Sequence, residues 1–220
     1  MTETFAKDTG RPRRGRRESR PSGDDREQAI LATAERLLGE RSLGEISVDD
    51  LARGAGISRP TFYFYFASKE AVLLTLIDRV VAEADAASSA PPTGPPADRT
   101  AHWRTVIDAF LATFRAHRAV TLAAAQARGG NPEVRELWAR VTETWVRQAA
   151  HAIDSERDRG AAPDGLPARD LAIALTAMTE RVLHAMFAAE QPALAEDRVV
   201  DTLLGIWLAS IYQAPTPPPG

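Results

Sequence analysis

Between Ile46 and Phe66 the chain carries two short helical signals separated by two glycines, and no other segment constrains the fold as strongly. Ser47 is a good N-cap, and Asp49 and Asp50 fall in the first turn, where the helix dipole favours carboxylates. Val48, Leu51 and Ala52 then lie at i, i+3 and i+4, a narrow apolar stripe for packing. Gly54 and Gly56 can take backbone angles that other residues avoid, so a sharp turn costs little here. Ser58 caps a second helix, and Pro60 is tolerated because first-turn amides have no intrahelical partner. The layout suits a helix-turn-helix that sets its second helix in the major groove of DNA. It also suits an ordinary helical hairpin, or a helix-turn-helix that binds protein.

The aromatics of the second helix bear on that choice. A helix of about eight residues carries Phe62, Tyr63, Phe64, Tyr65 and Phe66, more than one buried face can hide. Phe62 and Phe66, at i and i+4, can anchor the inner face. Tyr63 and Phe64 then face outward and need something to meet; base edges and thymine methyls are one such partner.

Charge has to be divided along the chain before it informs. The formal net charge is -3, yet residues 1–20 hold seven Lys or Arg against three Asp or Glu, and residues 21–70 six against nine. Positive charge is concentrated in the N-terminal arm, so phosphate neutralisation falls to it and to residues such as Arg53, Arg59 and Lys69. The arm is rich in Arg, Gly, Pro and Thr with little to bury, and reads as disordered alone. Gly10 to Arg17 resembles an arm that lies in an A·T-rich minor groove; a solubilising tail has the same composition. Cysteine is absent, which excludes disulfides, thiolate zinc sites and cysteine nucleophiles. No run approaches the roughly 18 apolar residues of a membrane span, so a cytoplasmic, nucleoid-associated protein is expected.

Elsewhere the periodicity is helical, and no strand-period segment occurs. Asp24 or Asp25 is expected to cap a first helix ending near Gly39, with Ile30, Leu31, Ala34, Leu37 and Leu38 along one face. Ser68 caps a fourth helix, whose Val72, Leu73, Leu76, Ile77 and Val80 continue to about residue 87. Ser88 to Pro96 then breaks the pattern as a linker. Five more helices are expected at about 99–117, 119–128, 132–158, 167–189 and 194–213. The expected fold is all-α with about nine helices. It comprises a basic arm (1–21), a helix-turn-helix unit (22–67), a larger unit (68–213) entered through a connecting helix (68–87), and a frayed tail (214–220).

All four tryptophans fall in the larger unit. Trp103, Ile107, Phe110 and Phe114 share one helical face; Trp138, Val141, Thr142 and Trp145 share another; Trp207 follows Leu203 and precedes Ile211 on the last. Such faces build a core, and large rings from several helices can also leave a deep apolar cavity, the usual character of a small-molecule site. On helix 167–189, Thr176, Thr179, Glu180, Leu183 and His184 form a stripe of mixed chemistry beside an apolar one. It can orient a mostly apolar ligand, or flank a subunit interface with Glu180 and His184 pairing at i, i+4.

The residues Gly54 to Phe66, followed by Ser68, Lys69, Glu70, Leu73 and Leu74, resemble the signature of the tetracycline-repressor (TetR) family. The likeness to one branch of that family extends over Pro21 to Arg26, Ile153 to Pro163, and Ile206 with Trp207, so it spans nearly the whole chain. The resemblance implies a homodimer formed by helices 167–189 and 194–213, bound to a roughly palindromic double-stranded DNA operator and released by a hydrophobic small molecule. It places Arg59, Pro60, Tyr63 and Phe64 near base edges, and Ser47, Ser58, Thr61, Tyr65 and Lys69 on phosphates. It also places Trp103, Phe110, Phe114, Trp138, Trp145 and Trp207 around a long aromatic tunnel. The chain departs from that branch at Thr176 and Thr179, where the pattern has amides, and at His184, where it has phenylalanine. Members of the branch often sit beside a monooxygenase gene. A ligand-dependent activator would look the same in sequence. An enzyme would have to rely on Glu180 with His184, or on His151 near Asp154, and neither pair comes with a nucleophile, metal-ligand spacing or phosphate loop. No cofactor is expected.

Overall fold

The computed structural model describes residues 22–88 and 99–213. The arm 1–21, the linker residues 89–98 and the tail 214–220 lie outside the described residues. Among those described, nine α-helices and one short 3-10 helix occur, and no strand. The first three, α1 (Gly23–Leu38), α2 (Val48–Gly54) and α3 (Arg59–Tyr65), are small, with the 3-10 turn Leu43–Glu45 between α1 and α2. Then come α4 (Lys69–Ser88), α5 (Arg99–Ala116), α6 (Arg118–Arg128), α7 (Pro132–Asp158), α8 (Ala168–Ala188) and α9 (Glu196–Tyr212).

Local sequence sets the starts of the early elements through one repeated device. Ser22 accepts from the Asp25 amide (3.1 Å), while the Ser22 amide donates to the Asp25 carboxylate (2.7 Å). Ser47 and Asp50 repeat this reciprocal capping box, with Asp50 N–H to Ser47 Oγ at 3.1 Å and Ser47 N–H to Asp50 Oδ2 at 3.0 Å. At the 3-10 turn, the Ser42 amide and hydroxyl both donate to Glu45. The first helix is therefore capped by Ser22, and not by Asp24 or Asp25; Asp25 is the box partner. Hydrogen bonds from these serines hold the Asp25, Glu45 and Asp50 carboxyls below their ordinary range, so each is ionised at neutral pH.

The two glycines of the turn do different work. Gly56 has φ +67°, the left-handed conformation that closes the turn after α2. Gly54 is the last residue of α2 and has ordinary helical geometry; what it supplies is proximity. A Cβ there would lie 2.3 Å from Cγ2 of Thr33, a buried residue of α1. The expectation that both glycines serve unusual backbone angles thus holds for Gly56 alone.

The longer elements are organised by α4. Its stripe of Val72, Leu73, Leu76, Ile77, Val80 and Ala84 is buried, and the helix packs on α1 on one side and on α5, α6 and α7 on the other. Each such Val, Leu or Ile side chain contributes about 2 kcal/mol relative to exposure. Ser68 caps α4 by accepting from the Ala71 amide (3.1 Å). Beyond it, α7 packs along α8, and α9 against α5 and α8. The reading that no segment approaches a membrane span needs qualifying for α8. Its most apolar 18-residue window has a mean hydropathy of 1.3, with only 33% of the window buried within the chain.

Gly54→Ala is expected to destabilise the protein by about 2 kcal/mol through overpacking against Thr33. Thr33→Ala in the same chain should recover at least half of that loss. Thermal melts of the four members of this double-mutant cycle check it; additive effects would show that the two side chains do not meet.

Candidate functional site

The seven-residue α3 is held from within and bare outside. Phe62 and Phe66 are buried, with ring centroids 6.1 Å apart. Tyr63 and Phe64 are 47% and 83% exposed. Ser58 caps the helix, accepting from the Thr61 amide (3.3 Å), and its hydroxyl lies 2.8 Å from that of Thr61. Pro60 sits in the first turn, exposed. Arg59 points along the outer face, where Nη1 donates to Asp49 (2.9 Å) and Nη2 to the Tyr63 hydroxyl (3.3 Å). Both members of the Arg59–Asp49 pair are about half exposed, so the bond is weakened by solvent and exchanges easily for a stronger acceptor. Tyr65 is half-buried, edge-on to Phe64 (5.2 Å).

Lys69 is placed differently from the phosphate contact expected of it. Its ammonium donates to the carbonyls of Leu43 (2.7 Å), Ile46 (2.9 Å) and Gly44 (3.3 Å). An ammonium has three protons to donate, and all three are taken. Lys69 fixes the 3-10 turn onto the start of α4. Ser47 lies at the α2 cap, with its hydroxyl donated to Asp50 (2.7 Å).

The second feature is a cavity of about 340 Å³ between α5, α6, α7, α8 and α9. Trp103, Ile107, Phe110, Phe114, Trp138, Trp145, Thr176, Thr179, Glu180, His184 and Trp207 all line it. Phe110, Phe114 and Trp138 each meet the Trp145 ring nearly edge-on, at 5.0 to 6.0 Å, and Trp103 lies against Trp207 at 5.1 Å. Each indole N–H is bonded to a helix other than its own. Trp103 donates to Tyr212 (3.1 Å), Trp207 to Thr179 (3.1 Å), Trp138 to Glu180 (3.2 Å) and Trp145 to Asp85 (2.9 Å). These bonds connect α5 to α9, α9 to α8, α8 to α7, and α7 to α4. The indole donors are therefore all taken by the protein, and the rings offer the cavity carbon surface.

Thr142 does not line the cavity; its hydroxyl is buried among the helices without a hydrogen-bond partner. Glu180 and His184 do not pair with each other. Glu180 accepts from Arg128 (2.6 Å), whose guanidinium lies over Trp138, while His184 meets Glu190 (3.1 Å). Glu190 follows the turn after α8, a proximity that helical spacing cannot show. Lining residues that the sequence reading misses include Gln148, Ala149 and Ala152, which continue the Trp138–Trp145 face by two turns, and Thr121, Ala125, His102, Val106 and Phe187. Burial, with Arg159 adding to it, holds the His102 imidazole below its ordinary value and hence neutral at pH 7. No cluster of His, Cys, Asp and Glu among the described residues has the makings of a metal site. His151 and Asp154 are both exposed.

Comparison with known proteins adds to this geometry. Residues 30–76 match the model for bacterial regulatory proteins of the tetR family, and residues 103–213 the model for the C-terminal domain of the transcriptional regulator EthR. The chain is 59% identical over 213 residues to the HTH-type transcriptional regulator EthR of Mycobacterium tuberculosis, covering 96% of this chain and 98% of that one. It is 52% identical to EthR of Mycolicibacterium smegmatis, covering 95% and 96%. Among solved structures, a tetR-family regulator from Streptomyces coelicolor shares the fold at a TM-score of 0.68 with 20% identity, over 86% of this chain and 81% of that one. A transcriptional regulator from Saccharomonospora viridis, solved in complex with choline, aligns at 0.69 with 24% identity, over 82% and 94%.

Ala152→Phe is expected to fill part of the cavity. Binding of a neutral apolar dye such as Nile red, followed by fluorescence, should weaken at least about tenfold, or about 1.4 kcal/mol, with helicity by circular dichroism unchanged. Undiminished dye binding would place the dye elsewhere.

Proposed function

Because the chain belongs to the TetR family of transcriptional regulators, with an EthR-type C-terminal domain, we propose that it is a homodimeric repressor. In this reading it holds a roughly palindromic operator and is released by a hydrophobic small molecule bound in the aromatic cavity. Its relatives are named as regulators, and it is not an enzyme. The observation that carries the reading is the division of α3: Phe62 and Phe66 are anchored inside, while Arg59, Pro60, Tyr63 and Phe64 stand on an exposed outer face. Two such helices enter successive major grooves about 34 Å apart. Arg59 exchanges Asp49 for the two acceptors of a guanine edge. Ser47, Ser58, Thr61 and Tyr65 approach phosphates, which fix register without reading sequence. The arm 1–20 supplies further phosphate contacts.

Dimer formation through α8 and α9 is supported by what they leave uncovered. Ile173 of α8 and Ile206 of α9 are 45% and 41% exposed, and α8 is apolar along a length that this chain only partly buries. A helix apolar on more than one face requires a second cover. Ligand reaches α4 through Trp145, whose ring lines the cavity and whose N–H is bonded to Asp85. A ligand that favours wrongly spaced recognition helices lowers DNA affinity by that preference and no more. By family resemblance, a monooxygenase gene beside its own is the proposed target.

Fluorescence anisotropy on the DNA upstream of its own gene, across a salt series and against a scrambled duplex, tests the reading. Tight, salt-sensitive, sequence-selective binding is expected; equal weak binding to both duplexes counts against it. Arg59→Ala should cost about 1–3 kcal/mol on the operator and less on the scrambled duplex. Deleting residues 1–20 should lower affinity and reduce the salt slope by roughly 0.9 for each phosphate that the arm neutralises. Trp145→Ala should leave operator binding intact and blunt release by an apolar effector; loss of DNA binding with effector response intact would refute the route through Trp145.

A further inference from the structure

His117 occupies the break between α5 and α6, with φ −107° and ψ 34°, and its side chain makes no capping bond to α6. Its carbonyl instead accepts from the amide and hydroxyl of Thr121 (3.0 and 3.1 Å). The ring turns away from both helices and reaches two others. Nδ1 lies 2.5 Å from a carboxylate oxygen of Glu35 on α1, and Nε2 lies 3.1 Å from one of Glu83 on α4. One imidazole thus joins the helix-turn-helix unit, the connecting helix and the cavity-bearing unit. The imidazole and Glu35 are partly buried, at 24% and 33% side-chain exposure, so the contact is screened less than a surface pair.

We propose that His117 is a positioning residue that ties α1 and α4 to the cavity-bearing unit, and that the tie loosens as its ring loses a proton. An ionised carboxylate only accepts hydrogen bonds, and a neutral imidazole has one N–H to give. Bonds to two carboxylates at once require the imidazolium. In the neutral ring one nitrogen becomes an acceptor facing an acceptor, and that arm opens. The neighbouring cations are engaged elsewhere: Arg36 of α1 with Glu40, Arg79 of α4 with Glu27, Arg115 of α5 with Glu196, and Arg118 of α6 with the Phe187 carbonyl. Burial works against the charge on His117, but the hydrogen bonds to Glu35 and Glu83 outweigh it and raise the pKa above the ordinary imidazole value. The sign follows. The tie is complete below the ordinary histidine pKa of about 6.5 and is lost as pH rises through the raised value. The consequence for DNA rests on the regulator reading; the tie itself does not.

Two measurements on the full-length protein test this. In an NMR titration of the histidine Cε1 protons, His117 should titrate above the ordinary value, and Glu35→Gln and Glu83→Gln should each lower its midpoint; midpoints unmoved by both substitutions would overturn the tie. In anisotropy on the upstream duplex between about pH 6 and 9, the wild-type Kd should change about three- to tenfold more than that of His117→Gln, because binding then depends on the protonation of that ring. Glu83→Gln, a lighter change at a more exposed residue, should flatten the curve likewise. Parallel curves for all three proteins would overturn the positioning role. A protein that binds no operator at any pH would refute the regulator reading, and the NMR titration would still decide the tie.

Discussion

Burial of α4 is the constraint on which the rest depends. A helix of 20 residues, about 30 Å long, buries its stripe against α1 from the N-terminal part and against α5, α6 and α7 from the larger one. The stripe packs on helices of both parts, so the small N-terminal helices and the large helical body share a single hydrophobic core. Polar contacts then fix each end. Lys69 gathers three carbonyls at the start of the helix, and Asp85 accepts from an indole of the cavity wall in its last turns. A rigid element pinned at both ends passes displacement along its axis more readily than it absorbs it.

The acidity of residues 21–70, awkward beside a polyanion, has a structural account. Asp25, Glu45 and Asp50 are occupied by serines at the starts of α1, the 3-10 turn and α2. Asp49 holds Arg59, and Glu35 meets His117. These carboxylates build and orient the unit, while its outer α3 surface is aromatic with one guanidinium. Formal charge summed over a segment therefore says little about the field at the face that matters.

Much of this is legible in the sequence, because periodicity and capping are local. Helix ends agree within about two residues, the usual scatter of boundary assignment. The exceptions share a cause. Ser22 escapes notice because the acidic pair behind it looks like a cap on its own, and the reciprocal bond needs Ser22 and Asp25, three positions apart, read together. Gly54 looks like a turn glycine until Thr33, twenty-one positions earlier, is brought against it. The partners of Lys69, Glu180 and His184 lie on other elements, or across a turn, and helical spacing has no information about them. Thr142 shares a helical face with Trp138 and Trp145, yet a face is wider than a cavity.

The four indole bonds run from α5 through α9, α8 and α7 to α4, and α4 packs back on α5. The cavity is thus girdled by a closed hoop. Its girth is set by hydrogen bonds at four fixed stations, while the wall between them mixes rings such as Phe110 and Phe114 with short side chains such as Thr176, Ala125, Ala149 and Ala152 that bear none of those bonds. Frame and lining can therefore change separately over evolutionary time. A lineage can acquire a taste for a different molecule by repainting the wall, without loosening the barrel that transmits the news of its arrival.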